Sequence, residues 1–221
     1  MFDFDAILPS LPFLLSGIPL TLGIAAAALV IGLAFALPMA LVRAAEVPVV
    51  SPIVRWIIEF FRTTPPLLHI VWVYYVLPQT FGIRLSAVAV VIAALSASTA
   101  AQFAEILRGG LQAIPRGQFE AASVLGIEGW RRLRYVILPQ VVRLVLAPSC
   151  NVVVSLIKDT SLASVIAVPE LMNRGQIVSI DTFRPLEVLT LVAVLYFVLT
   201  YPVALVATYL EGRIRAAYQR G

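Results

Sequence analysis

Residues 6–42 read AILPSLPFLLSGIPLTLGIAAAALVIGLAFALPMALV and carry no charged side chain. A helix needs about 20 apolar residues to cross about 30 Å of hydrocarbon. This stretch therefore holds one membrane span and a lead-in punctuated by Pro9, Pro12 and Pro19. The pattern recurs along the chain. Residues 63–83, 85–104 and 188–210 are also free of charge, and residues 135–142 join 144–157 across Arg143 alone. Five spans are predicted, roughly at residues 13–42, 60–80, 85–108, 138–158 and 187–210, in an all-α polytopic membrane protein whose residues 1–221 form one transmembrane domain. Pro38, Pro78, Pro148 and Pro202 fall in or near these spans. Membrane helices tolerate them, because neighbouring groups satisfy the freed backbone.

Composition agrees. The chain is 61% hydrophobic and 13% charged, whereas a soluble domain is about half apolar and a quarter charged. Its apolar surface exceeds what one soluble core can hide, and lipid is the natural sink. The first residues, Met1-Phe2-Asp3-Phe4-Asp5, are acidic where a secretory signal carries a basic segment. The whole chain is therefore expected in the mature protein.

The net charge of +4 first suggests a nucleic-acid partner, and its distribution argues against one. Five spans put the termini on opposite sides. With the N-terminus outside and the C-terminus inside, the inside segments hold Arg43, Arg55, Arg62, Arg108, Arg116, Arg131, Arg132, Arg134, Arg143, Arg213, Arg215 and Arg220. The outside segments hold Arg84, Lys158, Arg174 and Arg184. Twelve against four of the 16 basic residues is the sign the positive-inside rule requires. Topology explains the basic balance, and no nucleic acid is needed.

Cys150 and His69 are the only residues of their kinds, so neither an internal disulfide nor a Cys/His metal cluster can form. The phosphate-cradling loop of ATPases needs lysine after glycine. The single lysine, Lys158, follows Ile157, so no such loop exists and no catalytic residue is assigned. Ionisable residues in or beside spans are functional candidates, because lipid burial is expensive. They are Arg62, Glu105, Arg108, Lys158 and Asp159. The alternatives are snorkelling at the interface and, for Glu105 with Arg108, a local pair three residues apart on one helix face.

The largest inside link, residues 109–139, has helix-forming content without a spanning run. Glu120 to Leu125 reads as a short helix stopped by Gly126. Trp130 to Ile137 reads as a second amphipathic helix closed by Pro139. Such a loop serves either as a docking surface for a partner or as a helix lying on the membrane face. The outside link from Lys158 to Glu187 contains an apolar stretch, 160–169, too short to span. It is expected to dip partway in or to pack over a cavity mouth. An odd number of spans cannot form two equivalent halves, so a transporter of this size is expected to pair with a second copy or a sister subunit.

The loop resembles the signature of the permease subunits of ATP-binding-cassette importers: EAA, three residues, Gly, nine residues, then Ile-x-Leu-Pro. Here it stands as Glu120-Ala121-Ala122, Gly126 and Val136-Ile137-Leu138-Pro139, with Val136 replacing Ile. Further stretches resemble the polar-amino-acid branch. They are Arg62-Thr63-Thr64-Pro65, Ala104-Glu105-Ile106-Leu107-Arg108-Gly109-Gly110, Gly117-Gln118, Leu138-Pro139-Gln140 and Lys158-Asp159-Thr160-Ser161-Leu162, with Gly17 and Thr21-Leu22 opening the first span.

The resemblance covers nearly the whole chain and implies a type I importer fold in the bacterial inner membrane. It implies four kinds of neighbour: an ATPase dimer carrying ATP and Mg, a second permease of the same or a related sequence, a periplasmic or lipid-anchored solute-binding protein, and membrane lipid. The chain itself would hold no cofactor. Glu120, Ala121, Ala122 and Gly126 would form the coupling helix, with Glu120 pairing to a local arginine. Arg62, Thr64, His69, Gln102, Glu105, Lys158, Asp159, Thr160 and Ser161 are the candidates for the pathway or its gates. The chain departs from the branch at Thr63, where Gly is usual, at His69, where Gln is common, and at Gln102, where Tyr is common. A gradient-driven carrier is the other transport reading, but it has no use for the spaced loop. A membrane scaffold leaves the polar residues in the spans unexplained.

Overall fold

The computed structural model describes residues 4–218, with side chains through residue 213, and every regular element among them is helical. Arg215 and Arg220, two of the twelve inside cations, lie outside the residues whose side chains are described. Two short turns, Leu8–Ser10 and Leu11–Leu15, lead into α1, Ile18–Ala44. Pro9, Pro12 and Pro19 each sit in the first turn of a helix, where the missing N–H has no partner to lose. Helix α2 spans Val50–Thr63. Helix α3 follows as Pro66–Val71, a π-turn at Trp72–Val76, and Leu77–Phe81. Helix α4 spans Ala87–Gln112, opened by the Ser86 hydroxyl, which accepts the Ala89 N–H at 3.3 Å.

Helix α5 is short, Arg116–Val124. Helix α6 is a continuous rod, Gly129–Ile166. It runs through Gly129–Arg132, a π-turn at Leu133–Ile137, Leu138–Asp159 and a final 3-10 stretch, Thr160–Ile166. Helices α7, Leu171–Thr182, and α8, Pro185–Tyr218, complete the chain.

Small residues set the tightest crossing. Ala28, Gly32 and Ala36 of α1 are buried toward α4, and a Cβ on Gly32 would stand 2.8 Å from the Thr99 side chain. In lipid, where apolar surface gains little by leaving its solvent, such close approach is what holds helices together. Ile24, Val91, Leu95, Ile157 and Ile166 continue this core from α1 through α4 to α6. A second core joins Ile7 and Leu14 of the lead-in to Leu171, Val178, Val188 and Val192. Helix α8 leaves most of its surface uncovered by the rest of the chain; 17% of its apolar window is buried.

Four helices are long and apolar enough to cross a membrane: Leu8–Ala44, Ala87–Gln112, Gly129–Ile166 and Pro185–Arg213. The expected second span, residues 60–80, is not one continuous helix. Thr64 is extended (φ −87°, ψ 133°), as a residue before proline must be, and Pro66 restarts the chain. The remaining piece, α3, reaches roughly 24 Å at 1.5 Å per residue. Between α4 and α6, where the link is expected at about 109–139, α4 continues to Gln112 and α6 begins at Gly129. Pro139 does not close a separate second helix. The π-turn before it widens the winding so that the ring passes without a break, and the segment from Gly129 joins α6. Pro78 is accommodated in the same way by the π-turn at Trp72–Val76.

Candidate functional site

Helix α5 ends in a complete left-handed stop. Gly126 has φ +70°, its N–H donates to Ser123 O at 3.0 Å, and the Ile127 N–H donates to Ala122 O at 2.9 Å. This pairing satisfies carbonyls that the helix end would otherwise leave open, and only glycine adopts it without cost. Ala122 is buried against the protein, while Glu120, Ala121, Val124 and Leu125 face outward. Val124 is 87% and Leu125 74% exposed.

The helix is tethered to the start of α6. The Arg132 guanidinium lies over the Phe119 ring, 5.7 Å from its centroid, and donates to the Ser123 hydroxyl at 3.1 Å. Gln140 donates to Gln118 Oε1 at 3.2 Å and to the Val136 carbonyl at 2.8 Å. The pairing expected between Glu120 and a local arginine does not form among the described residues. Glu120 projects from the face opposite Ala122, and Arg132 is engaged by Phe119 and Ser123 instead.

A cavity of about 500 Å³ lies between α2, α3 and α4. Thr64 and His69, both candidates, line it beside Phe60, Phe61, Trp72 and the alanines at 93, 94 and 97. The His69 ring is buried, with its centroid 4.9 Å from that of Phe61 and 5.6 Å from that of Phe60. Its Nδ1 lies 3.4 Å from the Ser98 hydroxyl, and its Nε2 has no protein partner. If Nδ1 accepts from Ser98, Nε2 carries the proton as a buried donor without a protein partner. Gln102 is part-buried and outside the lining.

The charged candidates form a second group. Arg108 Nε donates to both carboxylate oxygens of Glu105 at 3.0 Å, and Arg62 pairs with Glu59 at 3.5 Å. Arg43 and Arg62 are within electrostatic reach of Glu105. At the far end of α6, Lys158 is exposed, Asp159 and Ser161 are half-buried, and Thr160 is fully buried with its hydroxyl donating to Ile157 O at 2.7 Å. The apolar stretch 160–169 packs into the core through Ala163, Ile166 and Val168.

The structure also reveals a buried acid absent from the candidate set. Glu170 is 0% exposed. Its carboxylate accepts the Met172 and Asn173 N–H groups, both at 2.9 Å, capping α7, and the Tyr196 hydroxyl of α8 at 2.7 Å. Thr21 of α1 lies 3.5 Å from it and accepts the Leu171 N–H at 3.1 Å. Gly17 is required beside this knot, since a Cβ there would stand 2.7 Å from the Leu171 nitrogen. A lone acid in the apolar run Val168-Pro169-Glu170-Leu171-Met172 was the available signal.

Comparison with known proteins places this architecture. Residues 32–216 match the family model described as "Binding-protein-dependent transport system inner membrane component". The "Probable glutamine ABC transporter permease protein GlnP" of Bacillus subtilis is 37% identical over 206 residues, 92% of this chain and 94% of that protein. The "Glutamine transport system permease protein GlnP" of Escherichia coli is 34% identical over 215 residues, 97% of this chain and 98% of that protein. A solved structure, "Crystal structure of an amino acid ABC transporter with histidines", superposes with a TM-score of 0.89 at 31% identity, covering 96% of this chain and 99% of its own. The helical order, the short glycine-stopped α5 and these matches together make the chain a member of the family of binding-protein-dependent transport system inner membrane components.

Proposed function

We propose that this chain is the permease subunit of an ATP-driven importer of polar amino acids or amino-acid-like solutes in the bacterial inner membrane. The observation that carries the reading is α5, a short helix with a glycine stop and exposed apolar tips, tethered at one end of a long helix. A separate ATPase dimer grips α5. Its closure moves α5 as a rigid body, and the Arg132 and Gln140 tethers pass that motion into α6, at whose other end stand Lys158 to Ser161. Glu120, Ala121, Ala122 and Gly126 form the gripped surface.

In this reading α2 and α3 together make a fifth, broken crossing, the N-terminus lies outside and the C-terminus inside. A second permease chain completes the pathway, and a solute-binding protein delivers the ligand from outside. The cavity at His69 is the candidate solute site. Phe60, Phe61 and Trp72 put aromatic rings in its lining, where an ammonium group can meet them. Arg62, Thr64, Gln102, Glu105, Lys158, Asp159, Thr160 and Ser161 are the further pathway and gate residues.

Two measurements test the assignment. A subunit bearing a phosphate-binding loop should co-purify with the chain, and uptake in reconstituted vesicles should require it; transport by this chain alone overturns the reading. His69→Ala and Thr64→Ala should change affinity or selectivity among glutamine, histidine and arginine, and unchanged values in both remove the cavity from the pathway.

A further inference from the structure

We propose that the cleft where α1, α2 and α4 meet binds the phosphate headgroup of an anionic phospholipid from the inner leaflet. The cleft has a volume of about 440 Å³ and is lined by three guanidiniums, those of Arg43, Arg55 and Arg108, against one carboxylate, Glu46. Arg108 is already held by Glu105. Arg43 and Arg55 have no ion pair among the described residues, and the Nε of Arg43 is buried without a hydrogen-bond partner. Ser51 and Gln112 add a hydroxyl and an amide to the same lining. Two guanidiniums without an ion pair, lining one cleft, are the donor set that phosphate oxygens satisfy.

The backbone is bent to make this space. In the link from α1 to α2, Glu46 has φ 49° and Val49 φ 67°. A β-branched residue in the left-handed region is strained, and such strain persists where the surroundings impose it. The second half of the argument is apolar. Ile53, Trp56 and Ile57 lie at helical spacing on α2 and are exposed, Trp56 by 78%. Pro52 and Arg55, which line the cleft, also line an adjoining groove with Trp56. A free phosphate needs only the cleft. A phospholipid uses both surfaces, with its headgroup on Arg43 and Arg55 and its acyl chains along α2. The bound headgroup also touches Arg108 and Gln112 at the end of α4, directly before α5, so lipid composition would set how firmly the root of the coupling helix is braced.

The inference rests on the inside orientation proposed above, and the test separates the two. The permease–ATPase complex is purified and titrated with phosphatidylglycerol, with lipid retention read by native mass spectrometry. Affinity should fall about fivefold for each guanidinium removed in Arg43→Gln and Arg55→Gln, while the control Arg84→Gln retains lipid as the wild type does. Equal retention by the double variant overturns the proposal. So does displacement of the lipid by equimolar inorganic phosphate or glycerol phosphate, which would mark a free-anion site. A cysteine placed by Ser51→Cys reports the side of the membrane. Labelling by an impermeant maleimide only from outside overturns the orientation itself. Labelling from inside that the assembled ATPase blocks makes the cleft a protein contact and overturns the lipid site alone.

Discussion

Two helices in this protein are held at their ends by opposite means. The start of α7 is fixed by a buried knot, in which Glu170 gathers donors from α7 and α8 and Thr21 of α1 takes the Leu171 N–H. Helix α5 is fixed at its rim, by a guanidinium over a ring, one hydroxyl and one pair of glutamines, all at the surface. In a buried knot each broken bond leaves an unsatisfied group, which costs about 1–3 kcal/mol. At the surface water replaces the lost partner. The first arrangement suits a joint that must not open. The second suits a part that exchanges contacts with another protein during a working cycle.

The comparison can be broken from the α5 side first. Glu120→Lys or Gly126→Asp should abolish ATP-driven uptake while membrane abundance on immunoblots stays near wild type; normal uptake by both removes α5 from coupling. On the knot side, Gly17→Val forces a side chain into the Leu171 backbone. Overpacking of this kind costs about 1–3 kcal/mol or more, so the melting midpoint in detergent should fall and expression with it. Glu170→Ala strands two backbone N–H groups and the Tyr196 hydroxyl, a loss of a few kcal/mol at about 1–3 each. Glu170→Gln should recover part of this, since its amide oxygen still accepts.

A smaller effect is expected at the rim. Arg132→Ala should cost about 1 kcal/mol or less in stability and yet raise the ATP hydrolysed per solute imported. A loss confined to stability would make the tether mere packing.

The smallest effect is one of pH. Burial pushes the Glu170 carboxyl above the usual carboxylate range, against the pull of its Met172, Tyr196, Asn173 and Thr21 donors. The native state therefore holds its proton to higher pH than the unfolded chain does. The associated stability is full below the ordinary carboxylate range and is lost as pH rises through the raised value. The melting midpoint should decline over that window, and Glu170→Gln should flatten the decline.

The same contrast decides what was legible in the sequence. Helices α1, α4, α6 and α8 were visible as charge-free runs, because lipid writes its demand directly into composition. The α5 stop was visible too, since a left-handed turn selects glycine at one position. The Glu170 knot was not, because its partners Thr21 and Glu170 lie 149 residues apart and no periodicity links them. The break before α3 was misread because hydropathy counts Pro65 and Pro66 without registering that they end one helix and begin another. Pro139 was misread in the opposite sense, as a terminator, because the wider winding that admits it leaves no mark in the apolar pattern.

That winding has a consequence for how chains of this kind should be aligned. Residues 74–79, YYVLPQ, and 135–140, YVILPQ, share Tyr, Leu, Pro and Gln at equal spacing, and each runs from a π-turn into a proline. A π-turn takes up one residue beyond the α-helical count, so the helix faces on either side keep their phase instead of swinging by about 100°. Each turn is thus a surplus residue stored inside a rod. A relative that is one residue shorter at either place has lost no loop and rotated no face, and a single gap opened within a helix there is a correction of phase.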